Sequence, residues 1–289
     1  MRGRRRFVDV ETWDPSSPEW RRLLRQLPGH EQQQVARFLF AKDQKLALAS
    51  RLLQRQLVRE LFDVSVDAIE IRRTPENKPF WKRPETAGSV APSTWNYNVS
   101  HHGTIVAIAS EFRELVGVDV VRLSDRPHRK TSVEEFFRAF EGHFNPSEWD
   151  YIRGVDPVDE DGQYSRFYRL WSLKEAYIKA VGIGLGFSLL RAEFIRADSA
   201  QKDDWQLRLD GQLASDWQFK CTLVNATHLV SVALGPLTAM WKPETSSIFP
   251  PSEASSLAAP VVTGIAIDDA PVDEEPPVWQ EWTLHDLLQ

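Results

Sequence analysis

The sequence predicts an α+β protein made of two α+β units in succession, with a polar tail behind them. Stretches of helical period at 31–62 and 164–181 are each followed by short β-type runs. Beyond Trp241 the composition shifts to Pro, Ser, Ala and acidic residues, which cannot bury enough apolar surface to hold a fold. A length of 289 residues accommodates two modest domains without staples. The expected units are 1–114, 115–241 and a flexible acidic tail at 242–289.

The basic start, Arg2 to Arg6, is soon followed by Asp9, Glu11 and Asp14, so it reads as a solvated terminus rather than a presequence or a nucleic-acid contact. From 31 to 62, Val35, Phe38, Leu39, Leu46, Leu53, Leu57 and Leu61 recur at three- and four-residue steps, predicting one long amphipathic helix. A strand-like run at 68–72 leads into a loop with Pro75, Pro79, Pro84 and Pro92. Two β-type runs at 97–100 and 104–110 hinge at Gly103.

The second unit opens with an apolar strand at 115–123 and a helical pattern at 133–140. Asn145-Pro146-Ser147-Glu148 has the form of a helix start: an N-cap, a proline at the first helical position and an acid placed to cap back. The helix from about 164 to 181 stops at Gly182-Ile183-Gly184-Leu185-Gly186. Strand-like runs follow at 192–196, 206–209, 218–224 and 228–234. Residues 242–277 read as a linker. The stretch 278–288, with Trp279, Trp282, Leu284, Leu287 and Leu288 among acids, is either a short docking helix or a sticky tail.

Cys221 is the one cysteine, which excludes an internal disulfide and suits a reducing, cytoplasmic setting. No apolar run reaches the roughly 20 residues needed to span a bilayer. Eight acidic side chains and no Lys or Arg fall in 251–289, so the rest of the chain is mildly basic despite a formal net charge of −6. That suits a phosphate-rich ligand and an acidic partner.

Four places carry candidate chemistry. Asp119 lies in Val116-Gly117-Val118-Asp119-Val120-Val121, where a desolvated carboxylate needs a cation or strong donors; a metal, an arginine or water would each answer. Glu175 and Lys179 sit four residues apart on one helix face, either as a surface ion pair or, given the apolar residues crowding them, facing a cleft. His101, in Asn98-Val99-Ser100-His101-His102-Gly103, is able to donate to a phosphate or to stand idle in a loop. Arg72, Arg73 and Lys78 gather before Pro79, to bind phosphate or merely to decorate the loop.

Together, Asn98-Val99-Ser100-His101, Gly117-Val118-Asp119 and Trp171-Ser172-Leu173-Lys174-Glu175-Ala176-Tyr177-Ile178-Lys179 resemble the three signature blocks of the 4′-phosphopantetheinyl transferases. The run 182–187 and the helix from Phe40-Ala41-Lys42-Asp43 to Ser50-Arg51-Leu52-Leu53 resemble the large eukaryotic aminoadipate-semialdehyde-dehydrogenase branch. The resemblance covers about 31–235.

It implies two similar α+β halves related by a pseudo-twofold axis, with coenzyme A between them. It further implies Mg²⁺ on Asp119 and Glu175, and catalysis by Glu175, Lys179 and His101. Coenzyme A is expected on Asn98, Ser100, His101 and Lys179, with its nucleotide phosphates on Arg73 and Lys78. The implied reaction moves phosphopantetheine to a serine of an acyl- or peptidyl-carrier domain, as for fatty-acid, polyketide and peptide synthases or aminoadipate reductase.

The expected protein is a monomer that engages neither nucleic acid nor membrane. Carrier docking is expected around 133–140 and 184–187. Two departures stand out. Val121 occupies the place where bacterial relatives often carry a second acid, and Gln34 replaces a coenzyme A-binding arginine, with Arg37 near enough to substitute. These departures leave room for a relative that binds without transferring, and the tryptophan-bearing tail for an interaction scaffold.

Overall fold

The computed structural model describes residues 2–83, 94–127, 131–155, 159–197, 204–240 and 277–288. Its class is α+β, as the sequence predicts. The first half runs β1 (Arg4–Asp9), α1 (Pro18–Arg25), α2 (Gly29–Ala36), α3 (Ala41–Phe62), β2 (Glu70–Arg73), β3 (Pro79–Lys82), β4 (Asn96–His102) and β5 (Ile105–Glu111). The second runs β6 (Leu115–Arg122), α4 (Val133–Arg138), α5 (Pro146–Arg153), α6 (Glu160–Val181), β7 (Ala192–Arg196), β8 (Trp205–Leu209), β9 (Gln212–Leu213), β10 (Gln218–Leu223) and β11 (His228–Gly235). Last come β12 (Gln280–Glu281) and α7 (Leu284–Leu288).

Two sheets, ordered β12-β1-β5-β4 and β10-β11-β6, form the frame, joined by the β2-β3 hairpin and a small β7-β8-β9 sheet. One core lies under α3, where Leu48, Leu53, Leu57 and Val58 are closed to solvent. Another packs Phe167, Leu170, Leu173 and Ala176 of α6 against Phe137, Phe144 and Trp149. A third is built from strands of both sheets, with Phe7, Ile105 and Ala107 meeting Val116, Val118, Val230 and Val232. The β4 and β6 strands are edges of their respective sheets.

Several local expectations match the chain's chemistry. Asn145 and Glu148 form a reciprocal capping box at the start of α5. Gly182 ends α6 in the left-handed conformation, with φ of 80°. Gly103 turns β4 into β5 with φ of 61°. The long helix starts four residues before the expected 164, because Asp159 caps it by accepting from Gly162 N at 2.9 Å.

Three expectations are corrected. The single helix at 31–62 is two helices, broken at 37–40. A buried Arg55–Glu31 pair at 2.8 Å ties α2 against α3, and Phe38 and Leu39, which fit the apolar period, stand exposed beside Phe40. The basic start is no solvated terminus, since β1 is an interior strand with Arg5 and Arg6 buried. Arg5 meets Glu111 at 2.6 Å, and Arg6 meets Glu60 at 2.7 Å while lying over Trp282.

The tail does not stay flexible to 289. Gln280 and Glu281 pair in parallel with Arg6 and Phe7, and Leu287 is fully buried against the first half. Gln26 Nε2 donates to Leu287 O at 2.8 Å. Trp279, Trp282, Leu284, Leu287 and Leu288 thus pack against the body of the protein, while Val278 is exposed. Pro84, Pro92 and the expected linker, from 242 to 276, lie outside the described residues. Among the described residues no helix is long and apolar enough to cross a membrane.

Candidate active site

The approach of α6 to β6 sets the geometry. Gly117 has no side chain because there is no room for one: a Cβ there would lie 1.9 Å from Ala176 O and 2.4 Å from Ala180 N. Alternate residues of a strand share a face, so Asp119, two positions on, also points toward α6. There it meets Lys179, whose Nζ lies 2.5 Å from Asp119 Oδ1. Ser100 on β4 closes the triangle. Its Oγ donates to Asp119 Oδ1 at 3.1 Å and accepts from Lys179 Nζ at 2.9 Å and Val120 N at 3.3 Å, using the full capacity of a hydroxyl.

Glu175 stands one turn before Lys179 on the same helix face and is half-buried. Its carboxyl is pushed up from the ordinary glutamate value, first by burial and then by the charge of Asp119, with Lys179 pulling it back. The two carboxylates therefore sense each other across a space that penalises charge. His101, next to Ser100, keeps an open side to solvent, yet the walls around it desolvate the ring. That desolvation, then the charges of Lys179 and His102, lowers its pKa against the pull of Asp119 and Asp43. Its neighbour His102 takes no part, bonding Asp125 Oδ2 at 2.7 Å.

Five of the expected residues thus converge: Ser100, His101, Asp119, Glu175 and Lys179. Three behave differently. Asn98 is 3% exposed and its Oδ1 accepts from Val118 N at 3.0 Å, so that oxygen is engaged inside the protein. Lys78 extends its Nζ to Ala180 O at 2.6 Å, in the last turn of α6, where helix carbonyls lack internal partners. Burial lowers its pKa to about 8. Arg73 is exposed on the hairpin and bonds Asn77 O at 2.9 Å.

Arg51 escaped sequence reasoning. Its Nη2 donates to Gln34 Oε1 at 2.9 Å, bringing a guanidinium to the position where an arginine was missing, while Arg37 is exposed on the break. Arg73 lies near enough to press on Arg51 electrostatically. The spacing gave no sign of it, since one helix over 31–62 would hold 34 and 51 about 25 Å apart, and only the break between α2 and α3 folds them together.

A hard divalent cation fits this donor set. Both bonds described to the Asp119 carboxylate fall on Oδ1, leaving Oδ2, and a cation would relieve the mutual repulsion and desolvation of Asp119 and Glu175. Among the described residues no group of three or more His, Cys, Asp or Glu is arranged to hold a metal.

Comparison with known proteins follows the same division of the chain. Residues 11–113 match the family model "4′-phosphopantetheinyl transferase, N-terminal", and residues 115–233 match that of the 4′-phosphopantetheinyl transferase superfamily. Among relatives, the L-aminoadipate-semialdehyde dehydrogenase-phosphopantetheinyl transferase of Rattus norvegicus is 37% identical over 239 residues, spanning 81% of this chain and 75% of that protein. A phosphopantetheinyl transferase of Thraustochytrium is 37% identical over 227 residues, 78% of this chain and 76% of its own. The 4′-phosphopantetheinyl transferase pptA of Paxillus involutus is 30% identical over 197 residues, 65% and 70% of the two. The Gly117-to-α6 contact that faces Asp119 toward Lys179 lies inside these matched stretches, and the chain belongs to the 4′-phosphopantetheinyl transferase superfamily.

Proposed function

We propose that this chain transfers 4′-phosphopantetheine from coenzyme A to a serine of a carrier domain, acting as a monomeric holo-[acyl-carrier-protein] synthase in a reducing compartment. The observation that supports this most is the contact of Asp119, Lys179 and Ser100 between the halves, with Glu175 one helix turn from Lys179 and within electrostatic reach of Asp119. Mg²⁺, when bound by Asp119 and Glu175, would neutralise charge on the pyrophosphate.

In the reaction the serine Oγ forms a bond to the β-phosphorus. The bond from that phosphorus to the bridging oxygen breaks, and 3′,5′-ADP leaves with the electron pair. Lys179 and His101 donate to the phosphate oxygens that gain charge. Glu175, its proton affinity raised by burial and by Asp119, takes the serine proton. Arg51 and Arg73 form the basic side toward the nucleotide phosphates. Carrier domains of fatty-acid, polyketide and peptide synthases and of aminoadipate reductase all present the same serine and are all candidate acceptors. The names of the aminoadipate-type relatives favour the last.

Incubation with coenzyme A, Mg²⁺ and a panel of apo carrier domains, followed by mass spectrometry, tests the reading. A gain of one phosphopantetheine on the carrier is expected. Tight binding of coenzyme A with no mass gain on any carrier would instead favour a non-transferring relative.

A further inference from the structure

The strand that carries Asp119 is held by side chains where a neighbouring strand would be expected. On one edge β6 pairs with β11 in the ordinary antiparallel way, Asp119 opposite Ser231. On the other edge the N–H groups of Val116, Val118, Val120 and Arg122 face β4 and find no backbone carbonyl. They are met by side chains instead: Asn96 Oδ1 at 3.0 Å, Asn98 Oδ1 at 3.0 Å, Ser100 Oγ at 3.3 Å and His102 Nδ1 at 3.4 Å. Each pair is offset by the same twenty positions, so the two strands run parallel and every second residue of β4 serves every second amide of β6. An edge strand buried without acceptors would leave a row of orphaned donors. This ladder supplies the acceptors and fixes the register between the two sheets.

We propose that Asn98 is a positioning residue for Asp119, working with Ser100 to hold the amides of the residues just before and just after it. Asn98 holds Val118 N and Ser100 holds Val120 N, so the backbone of Asp119 is pinned from both flanks while its carboxylate reaches Lys179. Asn96 makes the same kind of bond three residues away from Asp119, at Val116, and serves as the internal control. The polar side chains of the Asn98 block thereby divide their work: Ser100 touches the site, and Asn98 acts only through Asp119. The proposal rests on the reading of Asp119 as a cation ligand.

The test compares Asn98→Leu with Asn96→Leu in the full chain. It reads Mn²⁺ binding by electron paramagnetic resonance in the presence of coenzyme A, without turnover, alongside melting temperature. Both variants orphan one β6 amide, and Asn96→Leu also frees the carbonyls of Thr94 and Glu114, so the control should lose at least as much stability. Asn98→Leu alone should weaken Mn²⁺ binding, about 10- to 100-fold as for other groups that orient a ligand, with Asn96→Leu staying within about twofold. Should Asn98→Leu not fold, Asn98→Ser carries the comparison against Asn96→Ser, since Ser100 shows that a β4 hydroxyl can reach a β6 amide. The serine at 98 is then expected to weaken binding by about two- to fivefold and the serine at 96 not at all. Equal effects at the two positions, or none at 98, overturn the proposal. Wild-type protein that binds no Mn²⁺ overturns the cation reading itself, and the proposal with it.

Discussion

Gly117 and Ala176 touch backbone to backbone, so closely that a methyl group on the glycine would overlap the alanine carbonyl. Gly117→Ala should therefore push α6 off β6, costing about 1–3 kcal/mol of stability in the way that overpacked cores do. Because the same movement separates Asp119 from Lys179, transfer activity should fall by more than the lost folded fraction explains. Urea unfolding together with kcat measured on the folded protein checks both parts.

Glu175→Gln should lower turnover by about 10²- to 10⁴-fold, the usual contribution of a positioned base, without loss of stability. The raised carboxyl fixes the sign of the pH effect. The folded state holds the Glu175 proton more tightly than the unfolded chain, so ionising it lowers stability as pH rises from the ordinary glutamate value through the elevated one. Above that window the glutamine variant should melt at or above the wild-type temperature. Melting curves from pH 4 to 8 decide it, and unchanged turnover refutes the assignment.

Lys78 contributes in a different pH range. Its folded pKa of about 8 lies below the ordinary 10.5, so between those values the unfolded chain binds more protons and stability should rise with pH. Below pH 8 the burial penalty is fully present. Lys78→Met should flatten that rise, which is read as the difference between wild-type and variant unfolding free energies from pH 7 to 11.

Leu287→Ala removes a fully buried side chain from the core under α3 and should cost about 2–5 kcal/mol. Truncation after Met240 should destabilise the first half further, because Trp282, Leu284 and Leu288 leave with it. Denaturant midpoints for the two proteins, at matched temperature, test the order.

Patterns that depend on near neighbours were legible in the sequence. The capping box at Asn145, the glycine stop at Gly182 and the β-branched run around Asp119 all declare themselves within a few residues. Gly117 and Asp119 stood together in the sequence only as part of the family resemblance, and it is the structure that shows strand alternation aiming both at α6. What escaped depends on partners distant in sequence. Arg5 and Arg6 read as solvent-facing until Glu111 and Glu60 are known to reach them. Asn98 and Lys78 carry groups suited to a phosphate, and only the third dimension shows them bonded to Val118 and Ala180. Phe38 and Leu39 satisfy a helical period while belonging to no helix, since periodicity records spacing and not which face is covered.

The parallel pairing of Gln280 and Glu281 with β1 has a temporal meaning. During synthesis the first strand leaves the ribosome early, but its outer edge is completed only by residues made very late; the bond from Gln26 to Leu287 spans 261 positions. Domains generally fold as units while they are being made. Here the early half lacks this edge pairing and the Leu287 contact until residues 280–287 have been made. Premature termination anywhere in the acidic stretch would release a nascent product whose exposed strand edge invites aggregation.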